Sequence, residues 1–214
     1  MRPSSTGFAQ PIKNTLASIE EEVAHLQTLI EDLYTLSNAD IGAFRYNMTL
    51  CNFRNLVADT VARYRPIAAD KGISLSTSFC STPVYVMGDE TRLQQLLENL
   101  LKNSEKYTDA PGEIVVTLLC EASSVILTID DTAPSVPDDA LPRLFEKLYR
   151  VETSRNRKTG GAGLGLAIVK KIVDAHNGTI AAQRSNKGGL RVTMTLEVAS
   201  PSEKADETAS QGKA

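Results

Sequence analysis

No stretch of this chain approaches the roughly 18 consecutive apolar residues that a membrane-crossing helix needs. Its first residues also lack the apolar centre of a secretory signal. Neither sign of charge is in excess. A net charge of −3 over 214 residues gives no indication of nucleic acid or an anionic membrane as partner. Cysteine is scarce as well. Cys51, Cys80 and Cys120 are odd in number and widely separated, with no metal-type pair among them, so they read as reduced, structural thiols of a cytosolic domain. What these absences leave is a soluble chain, which could still be cut from a membrane protein. Its 42% hydrophobic and 23% charged residues are ordinary for a globular protein, and its length buries a core without staples.

The order of elements follows from periodicity. Residues 1–11 are polar and read as a flexible start. Ile12, Leu16, Ile19, Val23, Leu26, Ile30 and Leu33 then recur at alternating steps of four and three, the heptad seam of a coiled coil or bundle. A helix over 12–38 would be roughly 40 Å long, and it cannot cover its own stripe. Past residue 44 the pattern changes. Tyr46 to Leu50 reads as a strand, and Asn52 caps a helix running to about Ala69, with Pro66 near its last turn. Strands follow at Ile73–Phe79 and Val84–Met87, then a helix capped by Asp89 and running to Tyr107. Glu113–Glu121 and Val125–Asp130 form a hairpin. Residues 132–160 are rich in turn-formers and charge, broken by an amphipathic piece at Leu141–Phe145. A helix from Leu164 to Ala175 ends at Asn177-Gly178, and strands Thr179–Ser185 and Leu190–Val198 close the core. The tail, 199–214, is polar and reads as disordered. Three main helices and a mixed sheet with many hairpins predict an α/β (α+β) two-layer sandwich, helices on one face.

Four segments carry chemistry. On the helix from Asp89, Asn99, Asn103 and Lys106 fall at i, i+4 and i+7, a polar stripe beside the apolar one. An amide oxygen together with phosphates suits Mg²⁺, and an ammonium suits phosphate. The same residues would also suit an ordinary polar helix face. Gly160-Gly161-Ala162-Gly163-Leu164-Gly165-Leu166 leads into a helix whose N-terminal N–H groups favour phosphate. It matches neither the dinucleotide fingerprint nor the Gly-Lys-Ser/Thr ending of a P-loop, and a simple hinge remains open. Asp131, in Asp130-Asp131-Thr132-Ala133-Pro134-Ser135, could accept from the exocyclic amine of adenine or start a turn. Phe145 to Lys158 is a basic loop that could close over a triphosphate or simply lie in water. Together the four suit ATP with its metal.

In that order the segments resemble the catalytic, ATP-binding domain of sensor histidine kinases, with the Bergerat fold also found in gyrase and mismatch-repair ATPases. Leu96–Thr108 resembles the N box, Asp131–Ser135 the first glycine box, Leu144–Arg150 the F box and Gly161–Leu166 the second glycine box. The likeness covers about residues 12–198 and is nearest to enterobacterial envelope-stress sensor kinases. It implies the following roles. Asn103 binds Mg²⁺, and Asn99 contacts phosphate or a metal-bound water. Lys106 and Tyr107 meet phosphate and sugar, Asp131 holds the adenine amine beside Ala133, and Arg150 steadies the γ-phosphate. Gly161, Gly163, Leu164, Gly165 and Leu166 line the triphosphate and the lid hinge. Lys106 and Arg150 are the candidate catalytic residues.

Hydrolytic relatives resemble one another in having a Glu four residues before the metal-binding Asn. Here that place is Asn99, a poor base, which favours phosphoryl transfer to a protein over hydrolysis. Two departures stand out. The first glycine box usually carries glycines where this chain has Ala133 and Ser135. The phosphoacceptor segment of such kinases, His-Glu-x-x-Thr-Pro, is matched by neither His25 nor His176. The resemblance therefore implies an ATP domain (45–198) behind a partial dimerisation helix (12–44). Its partners would be ATP, a response regulator and the intact kinase's own dimerisation helix, not nucleic acid. The intact protein would be a homodimer, reaching the inner membrane only through segments outside this chain, with this domain in the cytoplasm. A non-catalytic interaction module and a hydrolytic Bergerat ATPase are the alternatives.

Overall fold

The computed structural model describes residues 46–151 and 163–199, together with Val23, Leu26, Gln27 and Ile30. The chain divides into two units, Met1–Ala43 and Phe44–Ala214. In the first, the four described positions are helical and exposed. The rest of the heptad helix, residues 1–11 and residues 200–214 lie outside the described residues.

The second unit begins with strand β1, Thr49–Asn52, which pairs antiparallel with β3, Tyr85–Gly88. The strand expected over Tyr46–Leu50 starts three residues later. Before it, Asn47 N–H is taken by the Asp89 carboxylate at 3.0 Å and not by a ladder. Helix α1, Phe53–Asp70, is capped as its sequence predicts: the Asn52 side chain accepts from Asn55 N–H. Helix α2, Glu90–Tyr107, is capped by Asp89 in the same way. Its apolar stripe, Leu93, Leu96, Leu97, Leu100 and Leu101, is fully buried. Truncating one such leucine to alanine costs roughly 2–5 kcal/mol, so this face fixes how α2 sits on the sheet.

The main sheet has five strands in the order β2-β4-β5-β7-β6: Ile73–Phe79, Gly112–Cys120, Ser124–Thr132, Gly188–Glu197 and Thr179–Arg184. β2 and β4 run parallel, and every other pair is antiparallel. Alternation decides the faces. Val125, Leu127 and Ile129 of β5 are buried under the helices, while Ile126 and Thr128 face the other side. The result is the expected two-layer sandwich with a mixed sheet. Between β5 and α3 the amphipathic piece is a single 3-10 turn, Leu141–Arg143.

Helix α3, Gly165–Ala175, ends with two hydrogen bonds that fold the chain back: Asn177 N–H to Asp174 O and Gly178 N–H to Val173 O. Asn177, not glycine, takes the left-handed turn, at φ 53°. Gly178 is needed for space, since a Cβ there would lie 2.6 Å from Thr195 O. His176, just past α3, is buried. Its Nε2 accepts from Asp89 N–H at 3.0 Å and its Nδ1 lies 2.7 Å from Ile172 O. The end of α3 is thereby pinned to the start of α2, and burial holds the imidazole below its usual pKa.

Two expectations need correction. Cys80 and Cys120 are not separate thiols but are joined by a disulfide across 40 residues. The parallel pairing of β2 with β4, Phe79 opposite Leu118, brings their Cα atoms to 6.0 Å, which spacing along the chain cannot reveal. Ala199 is not the start of a loose tail either. It is buried, and its N–H donates to Tyr85 O at 2.8 Å.

Candidate nucleotide site

Helix α2 is the spine of the site. Asn99 and Asn103 lie one turn apart and half-buried on its flank. At the first residue of α3, a Cβ placed on Gly165 would lie 3.8 Å from Asn99 Cγ and 3.9 Å from its Oδ1. The amide stripe therefore meets the glycine-rich helix start. Leu164 offers no side-chain cap there, so the first N–H groups of α3 keep their attraction for an anion. Gly163 has φ +71°, and a Cβ on it would come 2.8 Å from Tyr149 O and 3.1 Å from Arg150 Cγ. Leu148 N–H donates to Gly163 O at 3.1 Å. The Leu148–Arg150 segment is thus laid directly against the lead into α3.

Lys106 points its charge into the same neighbourhood. Burial first, then the nearby Arg150 and Lys102, hold its pKa below the usual lysine value. Its Nζ lies 5.3 Å from the centre of the Tyr107 ring. A desolvated ammonium among like charges has every electrostatic reason to accept a polyanion.

Asp131 closes the other end. It lies inside β5, which runs to Thr132, so its carboxylate does not start a turn. Oδ1 accepts from Leu190 N–H on β7 at 2.6 Å, and the Ser104 hydroxyl of α2 bonds the same carboxylate. Burial pushes its pKa up to about 6, against these hydrogen bonds. Gly189 is required beside it, for a Cβ there would sit 2.5 Å from the Asp131 and Thr132 carbonyl oxygens.

Four buried polar atoms have no hydrogen-bond partner among the described residues, Asn99 Nδ2, Glu105 Oε1, Thr108 Oγ1 and Ser135 Oγ, although Glu105 is ion-paired with Lys71. All fall in the N-box or first-glycine-box segments. Unpaired buried polar atoms are costly, and Asn99 Nδ2, beside the start of α3, is the one that a phosphate at that helix end could satisfy.

Of the expected residues, Asn99, Gly163, Leu164, Gly165 and Arg150 come together around the start of α3. Lys106 is near enough to Arg150 to feel its charge, and Asp131 is tied to α2 through Ser104. Asn103, Tyr107 and Leu166 are half-buried on these elements, and Ala133 is exposed in the middle of the first glycine box. Gly161 lies outside the described residues. Sequence reasoning passed over Ser104 and the Leu190 N–H. Ser104 had a visible signal, because it continues the buried spacing Leu93-Leu97-Leu100. The Leu190 donor had none, since it depends on which strand lies beside β5.

A two-layer sandwich in which the polar flank of one helix meets the uncapped start of another has the geometry of a phosphate-binding fold. Residues 88–200 match the family described as histidine kinase-, DNA gyrase B- and HSP90-like ATPase, and the chain belongs to it. It is 43% identical over 182 residues to the signal transduction histidine-protein kinase BaeS of Escherichia coli K12, which covers 85% of this chain and 39% of that protein. It is 34% identical over 187 residues to the sensor histidine kinase RppB of Synechocystis, covering 87% of this chain and 41% of that one. Among solved structures, full-length ShkA in complex with AMPPNP is similar with a TM-score of 0.74 and 26% identity, over 88% of this chain and 39% of that one. The chain spans about two fifths of the length of these relatives. Among the described residues, no helix is long and apolar enough to cross a membrane.

Proposed function

We propose that this chain is the ATP-binding catalytic part of a two-component sensor histidine kinase. In the intact protein the γ-phosphoryl of ATP passes to a histidine on a dimerisation helix, and a response regulator takes it onto an aspartate. The meeting of Asn99 with the first residue of α3 carries this reading, because it joins an amide stripe to an anion-binding helix start.

The residues divide the work. Ionised Asp131 accepts the adenine amine and selects the base. The α3 amides behind Gly163 and Gly165 cradle the phosphates, with Leu166 beside them, and the resemblance gives Gly161 the same role. Lys106 and Arg150 neutralise charge where it grows on the transferred group, and Tyr107 borders the sugar. The donor set fits Mg²⁺: Asn103 supplies a hard amide oxygen, and the orphaned Asn99 amide beside it suits a phosphate or a metal-bound water. Bound Mg²⁺ would draw charge off the phosphate oxygens. Asn99 cannot serve as a base for water, so the site favours transfer over hydrolysis.

His176 is no acceptor, since both its ring nitrogens are engaged inside the fold. His25 lacks the His-Glu-x-x-Thr-Pro surroundings of an acceptor, so the acceptor is expected on a helix not contained in these residues. The motif resemblance to envelope-stress sensor kinases, beside the likeness to the histidine-protein kinase BaeS, is what we take to imply a cytoplasmic domain of an inner-membrane, homodimeric sensor.

Calorimetry with MgATP tests the binding, and Asn103→Ala should lose most Mg²⁺-dependent affinity. Absence of binding at millimolar nucleotide would leave only a non-catalytic module. Radiolabelled ATP should leave this chain unlabelled when incubated alone, and label on His25 or His176 would refute the acceptor assignment.

A further inference from the structure

We propose that Cys80 and Cys120 are a reversible oxidation site, a dithiol–disulfide couple at the end of the sheet away from the nucleotide. Three observations carry it.

The first is placement. Cys80 directly follows β2 and Cys120 ends β4. Cys80 N–H donates to Leu118 O at 3.0 Å, so the ladder itself holds the two residues together. Their Cα atoms are 6.0 Å apart and their sulfurs are bonded. The ladder hydrogen bonds do not involve the sulfurs, so the geometry that forms the bond survives when it is reduced.

The second is access. Both cysteines are half-buried, open enough for a small oxidant. Cys51 is the contrast. It is buried, its thiol is pushed up by burial, and Sγ donates to Gly88 O at 3.0 Å. One thiol is shielded and two are poised, so the chain carries its own inert reference.

The third is what the bond ties. Among the described residues β2 is an edge strand with β4 as its only partner. Arg54, in the first turn of α1, donates Nε–H to Cys80 O at 2.8 Å. A covalent link there fastens the sheet edge and the start of α1 at one point. Asp131 pairs with Ile114, six positions before Cys120 on β4, about 20 Å along the strand. The link should therefore alter the stability of this edge and leave nucleotide affinity almost unchanged.

The exchange partner is a small disulfide of the glutathione type. One protein thiolate attacks it, releasing one small thiol and forming a mixed disulfide. The second cysteine thiolate then attacks the protein sulfur, the mixed bond breaks, and the second small thiol leaves. Two protein thiols are oxidised, one small disulfide is reduced to two thiols, and the two protons move to the departing thiolates.

The test equilibrates the full 214-residue chain in glutathione buffers from reducing to oxidising, alkylates free thiols after denaturation, and counts them by intact mass. We expect three alkylated thiols at the reducing end, one at the oxidising end, and return to three when the buffer is reversed. The oxidised form should melt roughly 5–10 °C higher, as closure of a long loop predicts. Its MgATP affinity should stay within about twofold of the reduced form. Cys80→Ser and, separately, Cys120→Ser should each abolish the intramolecular bond and the melting difference. Three free thiols under oxidising conditions would overturn the proposal. So would a bond that native protein never surrenders to reduced glutathione. Both readouts are independent of kinase activity.

Discussion

Asp130, on the open face of the sheet, meets a guanidinium and a hydroxyl, whereas Asp131, one residue on and under the helices, meets only neutral donors among the described residues. Asp130 Oδ1 is 2.7 Å from Arg191 Nε, directly across on β7, and 2.9 Å from Ser185 Oγ. Asp131 has Leu190 N–H and Ser104 instead. Both carboxylates are buried to a similar degree, at 6% and 4% exposure. The difference lies in what neutralises them. On the open face charge is paired and serves the fold. On the covered face it has no counter-ion among the described residues, and its pKa rises to about 6. A buried carboxylate with hydrogen bonds and no cation is costly to keep, and a ligand that donates to it recovers that cost.

The comparison can be broken in four places. The largest effect should come from Asp131→Asn, which keeps the shape and removes the anion. ATP affinity should fall about 10- to 100-fold by calorimetry, in line with a lost charged hydrogen bond, while the unfolding midpoint changes little. Next is Arg191→Leu, which leaves Asp130 with Ser185 alone. It should cost about 1–2 kcal/mol of stability in urea unfolding and leave MgATP affinity near wild type. If Arg191→Leu weakened ATP as much as Asp131→Asn, the division between faces would fail.

Third is pH. A carboxyl with a pKa of about 6 is mostly protonated below that value, so ATP affinity should fall about fourfold from pH 7.5 to 5.5. In Asp131→Asn the profile should be flat. The stability of the ligand-free domain should show the opposite sign. The folded pKa of Asp131 is raised, so its contribution is full below the ordinary carboxylate value and is lost as pH rises through about 6. His176 works the other way. Its folded pKa is lowered, so its contribution is full above the usual histidine value and is lost as pH falls below it. Smallest of all is Lys187→Ala. It removes an exposed bridge to Glu113 and should leave the melting curve unchanged.

Local signals in the sequence were strong where one element suffices. Asp89 as the cap of α2, Ile73–Phe79 as β2 and the apolar stripe from Leu93 to Leu101 all follow from nearest-neighbour chemistry, and all stand in the structure. The candidate site was legible as four motifs in order, because each is a local pattern. Facts that depend on which strands become neighbours were not. The Cys80–Cys120 bond needs β2 beside β4, and the Leu190 donor needs β7 beside β5. Ser104 is an intermediate case. Its position on the apolar face was legible, but its partner, the Asp131 carboxylate, was not.

The lengths of two helices have a consequence of their own. α3 runs back along α2, from Gly165 beside Asn99 to His176 at Asp89. It has 11 residues against 18, so it ends its cover at mid-span. The flank that carries Asn103, Lys106 and Tyr107 outruns its neighbour by nearly two turns, roughly 10 Å, a reach comparable to a triphosphate. Among the described residues, the open space beside that flank is thus a deficit of helix. Lengthening α3 at its N-terminus by those two turns would seal the layer with protein and leave nothing for a nucleotide to complete.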